Sequence, residues 1–566
     1  MKKEQIIWFS GLWTLIGTIP AAIFLCLTMQ QDYLRPLAPA LIQLIIIVPW
    51  FIVLIRNTLD LIINKKSDFN PFRKAQEISP QKAKALTGGI PQKYLSRQPS
   101  GIVLGRLGRS WVRIPIASGS DGQVVLVSAA MGSGKTTGIY DQTLLASGIP
   151  GADTSTSYVI LDCKPDIMPI TASIDDSRTL FISPTIVGAH GWDALAGLST
   201  ASTDDQIIAV LDRIAIALIP EESYGASIWV DGARNALKGL LLYFFWTGRW
   251  VDPDTNQIQA GFGDAMYQIA GGHVLDWMRK AVDDKQLIAK HPMISQYLAG
   301  LISQPEETLG GQLAQMRSKL AVFTKTNTRS FFGSDPLSSK ALANPKILTD
   351  YRGIKLYIGL RISELEEYGA IVRLIIAQIL SHLEKRPEGR NHIVILLDEL
   401  PRYGKIESLV PFLGIARSKS VSCILTAQNF AQMRRIYGDR MADEIYEAAQ
   451  NKVVLSSDDL LGEKISRMAG EYTDLSGSWN QNKISGLSDW IGTKREERRK
   501  VVLPSDLAAL REKRQAMLIL GGRYAGLCHA SRYYEDPEMA QLASDFKLKN
   551  KSFIKDVLGD TANQEG

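Results

Sequence analysis

The feature that most constrains this chain of 566 residues is a buried-strand pattern that runs directly into a glycine-rich loop. Four apolar residues with high strand propensity, Val124–Val127, are followed by Ser-Ala-Ala-Met-Gly-Ser-Gly-Lys-Thr-Thr, which then opens a helical pattern. In such a connection the backbone N–H groups of the loop can surround a phosphate at the positive end of the helix dipole. The sequence therefore predicts an α/β fold with a phosphate-binding loop at the end of a strand.

The loop resembles a Walker A motif of nucleotide-binding proteins. Gly132 and Gly134 supply the backbone freedom that close approach to a phosphate requires. Lys135 would neutralise the β- and γ-phosphates of ATP, and the Thr136 hydroxyl would help to hold Mg²⁺. Ala129 replaces the first glycine of the motif, which is acceptable if its φ angle is negative; a glycine-rich turn with an unrelated lysine is the alternative. The candidate nucleotide-binding residues are Ala130, Met131, Gly132, Ser133, Gly134, Lys135, Thr136 and Thr137.

A second strand pattern, Ile393–Leu397, ends in the adjacent acids Asp398 and Glu399. This arrangement is typical of a Walker B motif, in which a carboxylate at the tip of a buried strand faces the Mg²⁺ of the loop. We expect Asp398 to be the metal residue, acting through water. Glu399 is the candidate catalytic residue that orients or deprotonates the attacking water. Apolar strands that end in Asp-Glu also occur as helix caps, so the prediction depends on the pairing with the upstream loop.

A third strand pattern, Val421–Ala427, ends at Gln428, whose amide could sense the γ-phosphate or position a water molecule. From these residues alone, the functional and the purely structural interpretations of Gln428 are equally open. Arg417 precedes the same strand and could point out of its own subunit. Most surface arginines, however, have no such specific role.

The order of strand and helix patterns predicts a nucleotide-binding sheet domain interrupted by an all-helical insertion. Apolar residues recur at helical spacing between residues 201 and 343, whereas sheet-like patterns lie on both sides of that segment. The four cysteines are too far apart and too few to form a disulfide framework or a zinc site. The predicted divisions are a connector over 71–100, the sheet domain over 101–200 and 344–541, the insertion over 201–343 and a flexible tail over 542–566.

Residues 1–70 carry the pattern of a transmembrane hairpin. Ile6–Met29 and Pro36–Ile55 contain no charged residue, and each is long enough as a helix to cross a hydrocarbon core of about 30 Å. Lys2 and Lys3 precede the first span, and a basic cluster follows the second, so both termini are expected on the cytoplasmic side. A cleaved signal peptide is the alternative, but it would have a shorter apolar region and no second span.

The basic cluster after the hairpin is the strongest charge asymmetry of the chain. The whole sequence has a net charge of +6, but Arg56–Arg113 alone holds 12 Lys or Arg residues against three acids. Orientation in the membrane and attraction to anionic lipid explain such a cluster. The more specific alternative is that the cluster forms a surface that binds nucleic acid.

Together, these features resemble the membrane-anchored coupling ATPases of type IV secretion systems, and the resemblance spans about residues 1–540. It is carried by the Walker A loop, by Leu396–Pro401 with Gly404 and Lys405 after it, and by the pair Ala427 and Gln428. Further landmarks are Ser183–Thr185, Ile228 and Trp229 with Ala233, and Tyr533–Pro537.

The resemblance implies a RecA-like P-loop ATPase of the bacterial inner membrane that binds ATP and Mg²⁺. It would move single-stranded DNA with its attached relaxase toward the type IV secretion channel. By position, Lys135, Glu399 and Gln428 resemble the catalytic residues of the family, and Arg417 resembles its proposed arginine finger. A finger must enter a neighbouring site, which implies a homo-hexamer. The segment Lys494–Lys500 is a candidate contact for DNA phosphates, although a solvated charged loop is the more ordinary interpretation.

Three other functions fit parts of the same pattern. An FtsK-like double-stranded DNA pump is also membrane-anchored, but such pumps normally have four spans, a long linker and a winged-helix reader, which the sequence lacks. A receptor or scaffold could recruit cargo while nucleotide only holds it assembled. Export of effector proteins without DNA is the third alternative, and the sequence does not separate it from conjugation.

Overall fold

The computed structural model describes residues 90–558, apart from 187, 200, 222–226, 248–261, 334–341 and 482–489. The expected hairpin over residues 1–70 therefore lies outside the described residues. Within the described ranges, no helix combines the length and apolar character needed to cross a membrane.

A 12-stranded sheet organises the described chain. Its strands follow the order β1-β3-β2-β14-β13-β10-β4-β9-β8-β5-β7-β6, and a separate two-stranded ribbon pairs β11 with β12. In chain order the strands are β1 (Leu95–Ser96), β2 (Ile102–Leu107), β3 (Ser110–Ile114), β4 (Val124–Ser128), β5 (Ser157–Asp162), β6 (Thr179–Ile182), β7 (Lys355–Gly359), β8 (Ile393–Leu397), β9 (Val421–Ala427), β10 (Asn451–Val454), β11 (Glu471–Gln481), β12 (Trp490–Lys500), β13 (Gln515–Leu520) and β14 (Tyr524–His529).

The half of the sheet from β10 to β6 is parallel, and the half from β1 to β13 pairs antiparallel. In β4, Val124 and Leu126 enter one apolar core while Val125 and Val127 enter the other. This alternation is expected of a strand covered on both faces. Because β4, β9 and β8 are parallel neighbours, their carboxyl ends meet at one edge of the sheet.

Helices cover both faces of the sheet, and the named elements in the described residues between β6 and β7 are all helices. Its first long helix begins with a capping box in which Thr203 and Gln206 bond reciprocally. In chain order the helices are α1 (Asp141–Ala146), α2 (Met168–Thr171), α3 (Asp204–Leu218), α4 (Ser227–Trp246), α5 (Phe262–Ala270), α6 (Val274–Asp283), α7 (Lys285–Lys290), α8 (Met293–Ile302), α9 (Glu306–Leu320), α10 (Thr326–Phe331), α11 (Ile347–Asp350), α12 (Leu365–Glu384), α13 (Leu409–Ile415), α14 (Phe430–Ala448), α15 (Asp459–Ala469), α16 (Pro504–Ala508), α17 (Pro537–Lys549) and α18 (Lys551–Leu558).

The buried side chains of these inserted helices are continuous with the core of the sheet. Leu211 of α3 and Leu240 of α4 belong to the same apolar cluster as Val159 of β5. The Trp192 indole, which is fully buried, donates to Gln378 of α12 over 2.7 Å. The division into a separate helical domain over 201–343 therefore stays a prediction.

Two segments that the sequence analysis left irregular take part in the fold. In the expected connector, Leu95 and Ser96 form β1 and pair with β3, and Tyr94 is buried. In the expected flexible tail, residues 542–549 continue α17 and residues 551–558 form α18. The buried Asn550 amide donates to the carbonyls of Pro169 and Ala172 over 3.0 and 2.7 Å. This polar side chain therefore helps to anchor the segment, in addition to the apolar contacts of α17 with the core.

Candidate nucleotide-binding site

The glycine-rich loop follows β4 and ends at the helical segment Thr136–Tyr140, which precedes α1. Gly132 and Gly134 have φ angles of 73° and 88°, in the left-handed region that favours glycine. Ala129 is fully buried and is not among the described residues with positive φ, so alanine replaces the usual glycine there without backbone strain. Its N–H donates to the Ala427 carbonyl over 3.2 Å, which ties the loop to β9.

Lys135 is the centre of a charged cluster at the carboxyl edge of the sheet. Its Nζ lies 2.8 Å from Oδ1 of Asp398 and 3.0 Å from Oε1 of Glu399. Gln428 Nε2 donates to the same Glu399 oxygen over 2.9 Å. The adjacent strands β4, β9 and β8 therefore bring together the lysine, the amide and the two acids that the sequence analysis selected.

Burial and charge oppose one another in this cluster. Burial tends to lower the pKa of Lys135, but the attraction of Asp398 and Glu399 outweighs it and raises the pKa above its ordinary value. Burial raises the pKa of Asp398, and Lys135 offsets only part of that effect. For Glu399, burial is outweighed by Lys135, by the Gln428 hydrogen bond and by Arg402, so its pKa is lowered. The lysine therefore stays charged at neutral pH, and Glu399 is the more strongly ionised acid.

Glu399 is held in an uncommon backbone conformation. Its φ and ψ angles are 49° and 44°, the left-handed region that few residues other than glycine occupy. Its second carboxylate oxygen pairs with Arg402, three residues further on. Strain of this kind persists where surrounding contacts determine the position of a side chain, and it is concentrated at functional sites. The sequence analysis did not select Arg402, although its spacing from Glu399 was visible.

The loop has the donors that a phosphate and its metal ion require. Ser133 Oγ is buried and has no hydrogen-bond partner among the residues that the structure describes. Thr136, which directly follows Lys135, begins the helical segment Thr136–Tyr140. In the described ranges no group of three His, Cys, Asp or Glu residues could hold a metal ion. A Mg²⁺ ion at Thr136 and Asp398 would therefore need phosphate or water oxygens to complete its coordination.

Arg417 lies at the opposite edge of the sheet from this cluster. It precedes the amino end of β9, and its carbonyl accepts from the N–H of Gly122, just before β4. Its Nη2 lies 2.8 Å from Oδ2 of Asp121, and the two side chains are 68% and 56% exposed. Within its own chain, Arg417 therefore has no contact with the candidate site, and a role in a neighbouring subunit stays a prediction.

The segment Lys494–Lys500, a candidate DNA contact for which a solvated charged loop was the more ordinary interpretation, lies in a strand. It belongs to β12, which pairs with β11 along the whole ribbon, from Glu471 opposite Lys500 to Gln481 opposite Trp490. Arg498 and Lys500, near the base of the ribbon, are exposed. The segment is thus part of an extended two-stranded arm.

The sheet, the phosphate-type loop and the lysine–carboxylate cluster define a P-loop NTPase of the α/β class. Residues 87–556 match the family described as type IV secretory system, conjugative DNA transfer, and the chain belongs to that family. The conjugal transfer protein TraG of Rhizobium radiobacter is 21% identical over 75% of this chain, which spans 65% of that relative's length.

Solved structures of the plasmid coupling protein TrwB share the fold. The complex of TrwB with the non-hydrolysable ATP analogue ADPNP aligns with a TM-score of 0.55 and 17% identity, over 77% of this chain and 90% of TrwB. The complex of TrwB with ADP and Mg²⁺ gives a TM-score of 0.54 and 17% identity, over 79% of this chain and 91% of TrwB. At this identity the likeness establishes a common fold.

Proposed function

We propose that this chain is the coupling ATPase of a conjugative type IV secretion system, which uses ATP hydrolysis to deliver a single-stranded DNA with its relaxase to the secretion channel. The observation that carries the proposal is the Lys135–Asp398–Glu399–Gln428 cluster beside a phosphate-type loop. Family membership supports the conjugative role. The nucleotide complexes of TrwB support ATP and Mg²⁺ as cofactors.

Each side chain of the cluster has a distinct role in this proposal. Bound Mg²⁺ would supply charge to polarise the transferred phosphoryl group. Lys135, which stays protonated, would exchange its carboxylate partners for phosphate oxygens. Glu399 would then be free to orient the attacking water. The Gln428 amide, which donates to Glu399, would keep or lose this hydrogen bond according to whether Glu399 binds that water. Asp398 would hold the metal ion through water.

The larger assembly is proposed from the sequence. The apolar segments 6–29 and 36–55 would anchor the chain in the bacterial inner membrane with its bulk in the cytoplasm. The exposed position of Arg417 is compatible with entry into the site of an adjacent subunit, and hence with a hexamer. The basic residues at the base of the β11–β12 ribbon would contact DNA phosphates without regard to sequence, so that binding weakens as salt rises.

A lysine substitution separates a motor from a scaffold. In Lys135→Ala, we expect ATP turnover and DNA transfer between cells to be lost, because the residue acts on the nucleotide. The substitution also lowers stability, so size-exclusion chromatography must show that the variant is folded and assembled as the wild type is. Lys513→Ala, in which an exposed lysine is removed, is the matched control and should retain transfer. Transfer that persists in Lys135→Ala would favour the scaffold, and turnover that single-stranded DNA does not stimulate would favour export of proteins alone.

A further inference from the structure

A second basic side chain, Arg532, lies against the glycine-rich loop from a distant part of the sequence. It follows β14, and its Nη1 donates to Oγ1 of Thr137 over 2.9 Å, although the two residues are 395 positions apart. A Cβ built on Gly134 would overlap the Arg532 guanidinium. The missing side chain of Gly134 therefore makes room for this arginine as well as giving the loop its φ angle.

The segment that carries Arg532 is fixed to the helix that follows the loop. Ser531 is buried, and its hydroxyl bonds to the Gln142 amide group at 3.1 and 3.2 Å. Asp536 caps the start of α17 and pairs with Arg106 at 2.5 Å. The position of the guanidinium is therefore set by the segment on both sides of it, without help from an acidic partner.

Arg532 differs from Lys135 in its charge environment. The lysine has two carboxylates within 3.0 Å, whereas no carboxylate among the described residues pairs with Arg532. The partner of its Nη1 is a neutral hydroxyl, and its Nε is buried without a partner in the described part of the chain. A partly buried guanidinium that pairs with no carboxylate in the described ranges, directly beside a phosphate-type loop, is suited to bind an anion.

Helix geometry indicates which part of the nucleotide it would reach. Thr137 is two residues beyond Lys135, roughly half a turn further around the helical segment that begins there. Arg532 therefore lies on another side of the helix start from the lysine cluster. In loops of this kind the lysine reaches the β- and γ-phosphates, while the backbone N–H groups hold the α- and β-phosphates.

We propose that Arg532 binds the α- and β-phosphates of a nucleoside di- or triphosphate in its own subunit, and so links the segment from β14 to α17 to the occupancy of the site. The inference rests on the proposed nucleotide-binding function. It assigns to Arg532 a contact that ADP and ATP have in common, in contrast to the side of the site formed by Glu399 and Gln428.

The test compares Arg532→Lys, which keeps the charge, with Arg532→Gln, which keeps a donor for Thr137 without the charge. Dissociation constants for ADP and ATP are measured on the full chain by displacement of a fluorescent nucleotide, at two ionic strengths. We expect Arg532→Gln to weaken both nucleotides about tenfold or more and to reduce the salt dependence. Arg532→Lys should retain most of the affinity. The control is Arg523→Gln, at an exposed arginine of the neighbouring turn.

The outcomes separate this proposal from the broader one. If the wild type binds neither ADP nor ATP, nucleotide binding itself is wrong. If the wild type binds but the Lys and Gln variants are equally weak, or both equal the wild type, then the charge of Arg532 contacts no phosphate. Hydrogen exchange on the wild type gives a check that needs no variant: ADP should slow exchange at residues 530–536, and unchanged exchange there would also overturn the proposal.

Discussion

The charged side chains at the two ends of the parallel strands differ in how far they are exposed to solvent. At the carboxyl edge, Asp398 and Glu399 are buried, Lys135 is partly buried, and the three side chains neutralise one another. At the amino edge, the Arg417–Asp121 pair is exposed, and the buried His392 bonds to serines. A buried ion pair is costly to break, whereas an exposed pair contributes little. A phosphate bound at the carboxyl edge could therefore replace carboxylates as the partner of Lys135, whereas the exposed pair at the amino edge contributes little energy that binding could change.

The largest expected effect is on hydrolysis, from Glu399→Gln at the carboxyl edge. The amide keeps the shape of the side chain but cannot orient or deprotonate water as the carboxylate does, so we expect ATP turnover to fall by about 100-fold or more. Nucleotide affinity should change much less, because the residue faces the reacting water in the proposed mechanism. Steady-state turnover and nucleotide binding measure the two effects separately.

Glu388→Gln is the matched control for this variant, since Glu388 is an exposed acid just before β8, on the amino side of the same strand. Its turnover should equal that of the wild type. Equal turnover in Glu399→Gln and Glu388→Gln would remove Glu399 from the mechanism.

The second effect is on stability, from Lys135→Met measured without nucleotide. Removing the ammonium leaves two buried carboxylates without their cation, and the free energy of unfolding should fall by about 3 kcal/mol. The raised pKa of Asp398 limits the loss, because this acid can take up a proton. Adding Asp398→Asn should restore part of the stability. A loss below about 0.5 kcal/mol, as expected of an exposed pair, would contradict this prediction, because it would mean that water already screens the charges of Asp398 and Glu399.

The third effect is a pH dependence that arises at the amino edge. Burial lowers the pKa of His392 to about 4, with Arg386 acting in the same direction and Asp153 against it. The unfolded chain binds the proton near pH 6.5, so stability is full above that pH, declines as the pH falls toward about 4, and is level below it. At pH 5 we expect a loss of about 2 kcal/mol from this residue.

Denaturation of the wild type and of His392→Gln at pH 7.5 and pH 5.0 checks this expectation. The glutamine can still bond to Ser422, which lies 2.8 Å from His392 Nε2, but it does not titrate. The difference between wild type and variant should therefore shift in favour of the variant at pH 5.0. An unchanged difference would mean that the ring is already accessible to protons in the folded state.

The carboxyl edge was largely predictable from the sequence because Asp398 and Gln428 directly follow apolar strands and Lys135 follows one through the glycine-rich loop. Parallel strands place their carboxyl ends together. Arg532 was not predictable, because its partner Thr137 is 395 residues away and no local pattern connects them. The left-handed conformation of Glu399 was also hidden, since glutamate has no intrinsic preference for it.

The fold shows the same division between periodic and non-periodic signals. Strand and helix patterns located the sheet and the helices between β6 and β7. The last helices are anchored by the Asn550 amide as well as by buried apolar residues, and β1 is only two residues long. Isolated polar contacts and very short strands carry no periodicity, so a sequence pattern cannot distinguish them from irregular chain.

The smallest effect on the individual chain is expected from Arg417→Ala, and it is the one that tests the amino edge as a subunit interface. Loss of the exposed pair with Asp121 should change stability by less than about 0.5 kcal/mol, and nucleotide affinity should not change. A mixed assembly of Arg417→Ala and Glu399→Gln subunits contains some interfaces with both residues intact. In these interfaces Glu399 comes from one subunit and Arg417 from its neighbour, so they can hydrolyse ATP if the arginine acts on a neighbouring site.

Random assembly of equal amounts makes about one quarter of such interfaces complete, because each ring contact joins different surfaces of two subunits. The mixture should therefore recover hydrolysis that neither variant shows alone. Mixing Arg417→Ala with Lys135→Ala gives the same expectation, whereas mixing Glu399→Gln with Lys135→Ala should recover nothing, since both defects lie in the same half of the interface. Recovery in neither of the first two mixtures would confine Arg417 to its surface pair with Asp121, and the two edges of the sheet would then share no chemistry across subunits.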